Sequence, residues 1–116
     1  MSKQRQPSVD RQFVRGGATA TILSILDESP MHGYELIQTI RERTQGLFDF
    51  SDGTVYPLLY YLRDKGWIRD EVQTSEEGRT RKVYRLTPAG RAALRRQTED
   101  WLRFSRAMTL ALGRSR

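Results

Sequence analysis

Apolar residues recur at helical spacing in several stretches of the chain, and the clearest stretch is 51–66. Its apolar residues follow intervals of three and four, the spacing that places side chains on one face of a helix. They are Val55, Leu58, Leu59 and Leu62. Ser51 suits the N-cap, where its hydroxyl can accept a hydrogen bond from a first-turn amide, and Gly66 suits the position after the last turn. The pattern predicts a helix over about 51–65.

The opposite face of this predicted helix is polar and aromatic. Tyr56, Tyr60 and Arg63 lie on it, and their hydroxyls and guanidinium could reach phosphates and base edges in a DNA groove. The alternative is an ordinary amphipathic helix whose polar face contacts only water. Pro57 removes one backbone donor, so a bend is expected unless the helix begins nearer Thr54, which would place the proline in the first turn.

Two further helices are predicted before this stretch. The first spans about 13–27 and ends before Pro30, and the second spans about 32–44. Phe48 and Phe50, in the linker that follows, are expected to fill the core. The inward-facing residues are expected to be Ala18, Ile22, Ile25 and Leu26 in the first helix and Leu36, Ile37 and Ile40 in the second.

The start of the second helix carries candidate phosphate ligands. His32 and Tyr34 lie where free amides and the positive end of the helix dipole suit an anion, and Gly33 leaves room for a close backbone approach. The alternative is that Tyr34 packs under the fold and that His32 is only a surface residue. Because His32 is the only histidine and the chain has no cysteine, we expect no metal site here.

After the 51–65 helix the apolar pattern changes from helical to alternating, which predicts a β-hairpin. Ile68 and Val72 are expected to face inward on its first strand, and Tyr84 and Leu86 on its second. The segment between the strands, 74–80, is rich in residues that favour turns.

Charge is distributed unevenly over the hairpin. The returning strand is basic, with Arg79, Arg81, Lys82 and Arg85. The first strand and the tip are acidic, with Asp70, Glu71, Glu76 and Glu77. The basic edge could follow a phosphate backbone. The alternative is a solvated ribbon whose basic and acidic side chains pair with one another.

A long helix is predicted at the end of the chain. Thr87 suits its N-cap and Pro88 its first position, and the helix can extend to about Leu112, roughly 37 Å at 1.5 Å per residue. Its outward stripe contains Leu94, Thr98, Trp101, Phe104 and Met108. Because such a stripe extends beyond a small core, we expect the same helix of a second copy to bury it.

Composition narrows the class of protein. The 116 residues have room for one domain, and 20 Lys and Arg against 14 Asp and Glu give a net charge of +6, which favours a polyanionic partner such as nucleic acid or an anionic membrane surface. We expect no membrane span, secretory signal or disulfide, and a soluble cytoplasmic protein. One histidine, no cysteine and no convincing pair of carboxylates make an enzyme the least expected class, and no cofactor is expected.

Four motifs in order resemble the PadR family of bacterial transcriptional regulators, over roughly residues 22–95. They are Pro30-Met-His-Gly-Tyr-Glu-Leu36, Gly53-Thr-Val-Tyr-Pro-Leu-Leu59, Lys65-Gly-Trp-Ile68 and Gly78-Arg-Thr-Arg-Lys-Val-Tyr-Arg-Leu-Thr-Pro-Ala-Gly90. The resemblance implies an α+β, mainly helical fold, a winged helix-turn-helix with a long C-terminal dimerisation helix. We predict a flexible basic arm over 1–10, a DNA-binding domain over 11–87 and the dimerisation helix over 88–116.

The resemblance also implies a homodimer that binds double-stranded DNA, usually as a repressor. A recognition helix, about 51–65, would enter the major groove of a palindromic operator, and a wing, about 74–82, would follow the backbone. The predicted DNA-binding residues are His32, Tyr34, Ser51, Thr54, Tyr56, Tyr60, Arg63, Arg79, Arg81 and Lys82. A protein-interaction module of the same fold, without sequence-specific DNA binding, is the alternative.

Members of the short branch of this family, which this chain resembles, can admit flat aromatic ligands between their two protomers. Trp101 is the residue here that could stack on a planar aromatic effector, or it could only anchor the dimer seam. Two departures from the family pattern affect the recognition helix, whereas Val83, where an aromatic residue is frequent, is expected to be a structural change only. Asp52 stands where the family often has proline, and Tyr60 and Tyr61 stand where basic or polar residues are common, so the recognition helix is less positive than usual.

Overall fold

The computed structural model describes residues 11–113, with side chains from Gly17 onward. The described residues form four helices and one three-stranded antiparallel sheet, which confirms the predicted fold class. In chain order the elements are α1 (Arg11–Glu28), β1 (Met31–His32), α2 (Gly33–Arg43), α3 (Asp52–Asp64), β2 (Ile68–Thr74), β3 (Thr80–Leu86) and α4 (Pro88–Leu112). The predicted arm over 1–10 and the final residues 114–116 lie outside the described residues.

The ends of α3 agree only in part with the sequence signals. Ser51 occupies the N-cap position but makes no capping hydrogen bond, since its Oγ lies 3.5 Å from the Thr54 hydroxyl instead. The prediction that the Ser51 hydroxyl accepts a hydrogen bond from a first-turn amide is therefore wrong. Gly66 follows the helix with a φ of 80°, as expected of a left-handed residue at this position. Because α3 begins at Asp52, Pro57 lies beyond the first turn, and the bend expected there stays a prediction.

The core lies between α1, α2, α3 and the sheet. Every residue predicted to face inward from the first two helices is buried, and Phe50 is buried beside Phe48, with their rings stacked 5.5 Å apart. Leu23 is also fully buried, which the single predicted stripe of α1 did not include. Its burial follows from the position of α1, which contacts α2, β3 and α4. The central helix therefore buries more than one stripe.

The sheet has the strand order β1-β3-β2, and both pairings are antiparallel. Ile68, Tyr84 and Leu86 are buried as predicted. The prediction for Val72 is wrong, because this side chain is 64% exposed. Val72 lies four residues along β2 from the buried Ile68, and its partner Lys82 is exposed as well, so the core ends before this pair.

The start of α4 is tied to the turn that follows α3. Thr87 Oγ1 accepts a hydrogen bond from the Gly90 amide at 3.0 Å and donates one to the Gly66 carbonyl at 2.6 Å. The Thr87 amide donates to the Trp67 carbonyl at 3.0 Å. The predicted helix start is thus confirmed, and Gly90 lies directly against the backbone of Trp67.

The second half of α4 leaves the core. Leu94 still packs against it and Trp101 is half-buried, whereas Phe104, Met108 and Leu112 are exposed on the same side of the helix. None of the helices within residues 11–113 is long and apolar enough to cross a membrane.

Candidate nucleic-acid interface

A groove of about 440 Å³ opens where the start of α2, one side of α3 and the middle of β3 meet. We call it the aromatic groove, and its lining residues are His32, Gly33, Tyr34, Tyr56, Tyr60, Arg81, Lys82 and Tyr84. The structure therefore brings together six of the ten residues predicted to bind DNA. Of the other four, Ser51 and Thr54 are exposed at the leading end of α3, Arg63 lies one turn beyond Tyr60, and Arg79 lies beside the hairpin tip.

The missing side chain of Gly33 allows α2 and α3 to meet at the groove. A Cβ atom at this position would lie 2.5 Å from Cζ and 2.6 Å from Cε1 of Tyr56, distances that a real Cβ does not reach. Gly33 does leave room for a close approach, but it is the side chain of Tyr56 that approaches and not another backbone. Burial raises the pKa of Tyr56, and the nearby carboxylate of Asp52 adds to the rise, so Tyr56 keeps its hydroxyl proton and can donate a hydrogen bond.

The two residues at the start of α2 differ in their surroundings. Tyr34 is 64% exposed, so the alternative that it packs under the fold is wrong, and its hydroxyl accepts a hydrogen bond from Gln38 at 3.0 Å. His32 Nδ1 lies 3.3 Å from the Glu35 amide as an N-cap, while its Nε2 lies 2.9 Å from Arg81 Nη1. Because a neutral imidazole carries one N–H, only one of its nitrogens accepts at a time. His32 thus connects the start of α2 with the wing.

One carboxylate holds two of the cations near the groove. Asp70 lies 3.2 Å from Arg63 and 3.6 Å from Lys82, and the hydrogen bond from Arg63 raises the pKa of that guanidinium further. Both cations also face the ring of Tyr60, with Arg63 Cζ 5.3 Å and Lys82 Nζ 6.0 Å from its centroid. Asp70 was not predicted as part of the site. The sequence signal for it was the acidic first strand of the hairpin, whose side chains were expected, as the alternative, to pair with basic residues.

The remaining basic residues of the hairpin tip and of β3 fall into two groups. Arg85 pairs with Glu71 at 3.0 Å, so internal pairing, which was the alternative to backbone binding, does occur in the body of the hairpin. Arg79 and Arg81 form no ion pair with any carboxylate among the described residues. The positive charges of these two guanidiniums are therefore not compensated by a carboxylate of the hairpin.

The phenol of Tyr84 predicts a loss of stability at alkaline pH. Burial raises its pKa from 10.0 to about 12, so between these values the folded state keeps a proton that the unfolded chain has released. Stability is thus unaffected below pH 10 and falls as the pH rises toward 12, by about 1–2 kcal/mol given that Tyr84 lines a solvated groove. Urea unfolding at pH 8 and 11 measures the fall. Tyr84→Phe should lessen it, and an equal fall in that variant would contradict the assignment.

The predicted dimer residues lie along two adjoining cavities of α4. One, of about 360 Å³, is lined by Thr98, Trp101 and Leu102 of α4 together with α1 and Phe48. The other, of about 340 Å³, lies along Trp101, Phe104 and Met108, and the rings of Trp101 and Phe104 meet edge to face with their centroids 5.3 Å apart. Leu94 differs from the other predicted dimer residues, because its side chain packs on the core of its own protomer.

Comparisons with known proteins identify relatives of the same fold. Transcriptional regulator Rv3488 of Mycobacterium tuberculosis is 41% identical over 90 residues, which cover 78% of both proteins. Transcriptional regulator YqjI of Escherichia coli is 34% identical over 96 residues, which cover 83% of this chain and 41% of the relative.

Solved structures agree with these relatives. A transcriptional regulator from Clostridium thermocellum superimposes with a TM-score of 0.78 at 28% identity, covering 84% of this chain and 95% of that one. A PadR-like transcriptional regulator from Bacillus cereus gives 0.77 at 27% identity, covering 90% and 99%. The family model described as the transcriptional regulator PadR-like family matches residues 22–96. The chain therefore belongs to the PadR-like family, whose members are transcriptional regulators and not enzymes.

Proposed function

We propose that the protein is a repressor that binds a palindromic operator as a homodimer. The observation that carries this proposal is the aromatic groove, in which hydrogen-bonding side chains from α2, α3 and β3 converge beside Arg81, whose guanidinium forms no ion pair with a carboxylate of the described residues. Residues 11–87 would form the DNA-binding unit and residues 88–116 the dimerisation helix. Binding to chromosomal DNA would place the protein in the cytoplasm.

The geometry suggests a division of roles on DNA. In helix-turn-helix proteins the leading residues of the recognition helix contact base edges. Ser51 and Thr54 are exposed at that end of α3, and Tyr56 and Tyr60 follow along its groove side. Tyr34 and the wing would then contact phosphates, which position the protein without reading sequence.

The unburied stripe of α4 supports a homodimer. Phe104 and Met108 are apolar and exposed on one side of a helix that extends beyond its core. A second copy of α4 covers such a stripe with the same surface and creates a two-fold axis. Two recognition helices related by this axis would contact half-sites about 10 base pairs apart, one turn of DNA.

Arg81 should supply affinity that does not depend on sequence. Arg81→Gln is expected to weaken binding to operator and random duplex alike, and to lower the log-log slope of affinity against salt by about one, because one phosphate contact is lost. Lys82→Gln should have a smaller effect, since Asp70 already compensates part of that charge. Fluorescence anisotropy between 50 and 200 mM salt, a range in which phosphate contacts are readily measured, provides the test.

Arg95→Gln is the matched control for Arg81. It removes the same charge from an exposed residue in the first half of α4, away from the aromatic groove. We expect its salt slope to stay unchanged. If Arg81→Gln weakened only the operator complex and left random DNA unaffected, the role in backbone binding would be wrong.

Sequence selectivity separates a repressor from a protein-interaction module. Gel shifts against fragments of the upstream region of the protein's own gene should show one preferred fragment if the protein regulates transcription. A protein that remains monomeric and binds no duplex at low salt would contradict the proposal. Reporter expression that falls when the protein is supplied separates repression from activation.

We propose further that a planar aromatic effector stacks on Trp101 and releases the operator. The support is the half-buried indole, which borders both α4 cavities. Titration of a planar cationic dye should quench its fluorescence in a Trp67→Phe background, which removes the other tryptophan. Absence of quenching would leave Trp101 with a packing role alone.

A further inference from the structure

Asp52 is an unpaired anion at the part of the molecule proposed to enter DNA. It is the first residue of α3, it is exposed, and its carboxylate forms no ion pair or hydrogen bond with the other described residues. Tyr56, which lines the aromatic groove, follows four residues later on α3, so the two side chains are neighbours on the helix surface, and the charge of Asp52 helps to raise the pKa of Tyr56. Asp52 therefore lies beside the groove on the leading end of the helix.

A carboxylate in this position is unfavourable beside a phosphate backbone. The free amides at the start of α3 stabilise it in the unbound protein. In the major groove it would meet repulsion from phosphates and from the acceptors of guanine and thymine. The amino groups of the bases are the donors there. Cytosine N4 is the donor that suits a lone carboxylate, because the N6 donor of adenine lies next to the N7 acceptor.

We propose that Asp52 is a specificity-determining residue that accepts a hydrogen bond from the N4 amino group of a cytosine in each operator half-site. This inference rests on the proposed function, since it requires α3 to enter the major groove. It adds a base preference that the basic residues of the wing cannot supply, because phosphate contacts carry no sequence information. The inference thus gives Asp52, an unpaired anion at the start of α3 in a chain of net charge +6, a role in base selectivity.

Selection of bound duplexes from a random pool tests the inference. The unaltered protein should return a two-fold symmetric consensus with cytosine at one fixed position of each half-site. Asp52→Asn should lose that preference by on the order of tenfold and gain adenine there, because an amide can pair with both N6 and N7 of adenine. Asp52→Ala should lose the cytosine preference without gaining adenine. Both variants should bind random DNA more tightly, since a repulsive charge is gone.

Glu42→Gln is the matched control. It removes one exposed negative charge at the other end of α2 from the aromatic groove, so it should leave the consensus unchanged. Thermal unfolding should show that each variant is folded, as the exposure of Asp52 leads us to expect. Direct titration of two duplexes that differ only at the cytosine position gives the preference of each variant as a ratio of affinities.

The possible outcomes separate this inference from the proposed function. If the unaltered protein selects no two-fold consensus, the proposed function fails. If it selects such a consensus and Asp52→Asn returns the same base preferences at every position, the proposed function stands and the role of Asp52 is overturned. A change of preference in Glu42→Gln equal to that in Asp52→Asn would overturn it as well, because net charge would then be the cause.

Discussion

Gly90→Ala is expected to lower the free energy of unfolding by about 3 kcal/mol or more. The added Cβ would collide with the Trp67 carbonyl oxygen and lie 2.7 Å from Leu86 Cδ1. The Trp67 backbone cannot easily move away, because its carbonyl also accepts the hydrogen bond from the Thr87 amide. Urea unfolding followed by circular dichroism measures the loss.

Gly53→Ala is the control for this substitution. Both glycines lie in the first turn of a helix, but a Cβ at Gly53 would have only the Ser51 hydroxyl within 4 Å, at 3.7 Å. Alanine is the better helix former, so Gly53→Ala should be neutral or stabilising by up to about 1 kcal/mol. Similar losses in the two variants would show that the contact with Trp67 is not the cause.

The double variant Phe104→Glu with Met108→Glu is expected to be a folded monomer that has lost operator affinity by about 10²–10⁴-fold. Two charges on the proposed seam would repel their symmetry mates and would not tolerate burial. Each monomer would then engage one half-site, without the gain in affinity that comes from linking two binding sites. Sedimentation equilibrium measures the mass, and gel shifts measure the affinity.

Leu110→Glu provides the control for the seam. Leu110 is as apolar and is 68% exposed, but it lies about 120° around α4 from Phe104 and about 160° from Met108. We expect this variant to remain dimeric and to bind the operator normally. A double variant that stays dimeric, or a Leu110 variant that becomes monomeric, would place the interface elsewhere on the helix.

The sequence predicted the elements whose signals are local. The predicted helices over about 13–27, 32–44 and 51–65 lie within one or two residues of α1, α2 and α3. Thr87 and Pro88 start α4 because a cap and a first-turn proline act on their own helix, whatever the rest of the chain does. Strand β1 was missed, because its two residues become a strand only by pairing with β3.

The predictions that failed and the features that were missed depend on contacts between residues that are far apart in the sequence. The alternation of apolar and polar residues identified the face of the sheet to which Val72 belongs. It could not show that the core ends before Val72 along the strand. Asp70 joins the site only because β2 lies against α3 and brings its carboxylate to Arg63. The convergence of Tyr34, Tyr56 and Lys82 on one groove likewise requires the packing of α2, α3 and β3, which no local pattern contains.

The carboxylate of Asp70 has a consequence for how the protein would search a genome. By holding Arg63 and Lys82, it keeps two cations from adding their full attraction to any duplex that passes. Attraction to phosphate is equal for correct and incorrect sites, so each withheld charge shortens the time spent on incorrect sequences. A regulator of this kind can therefore leave a wrong site quickly and keep its longest residence for the operator.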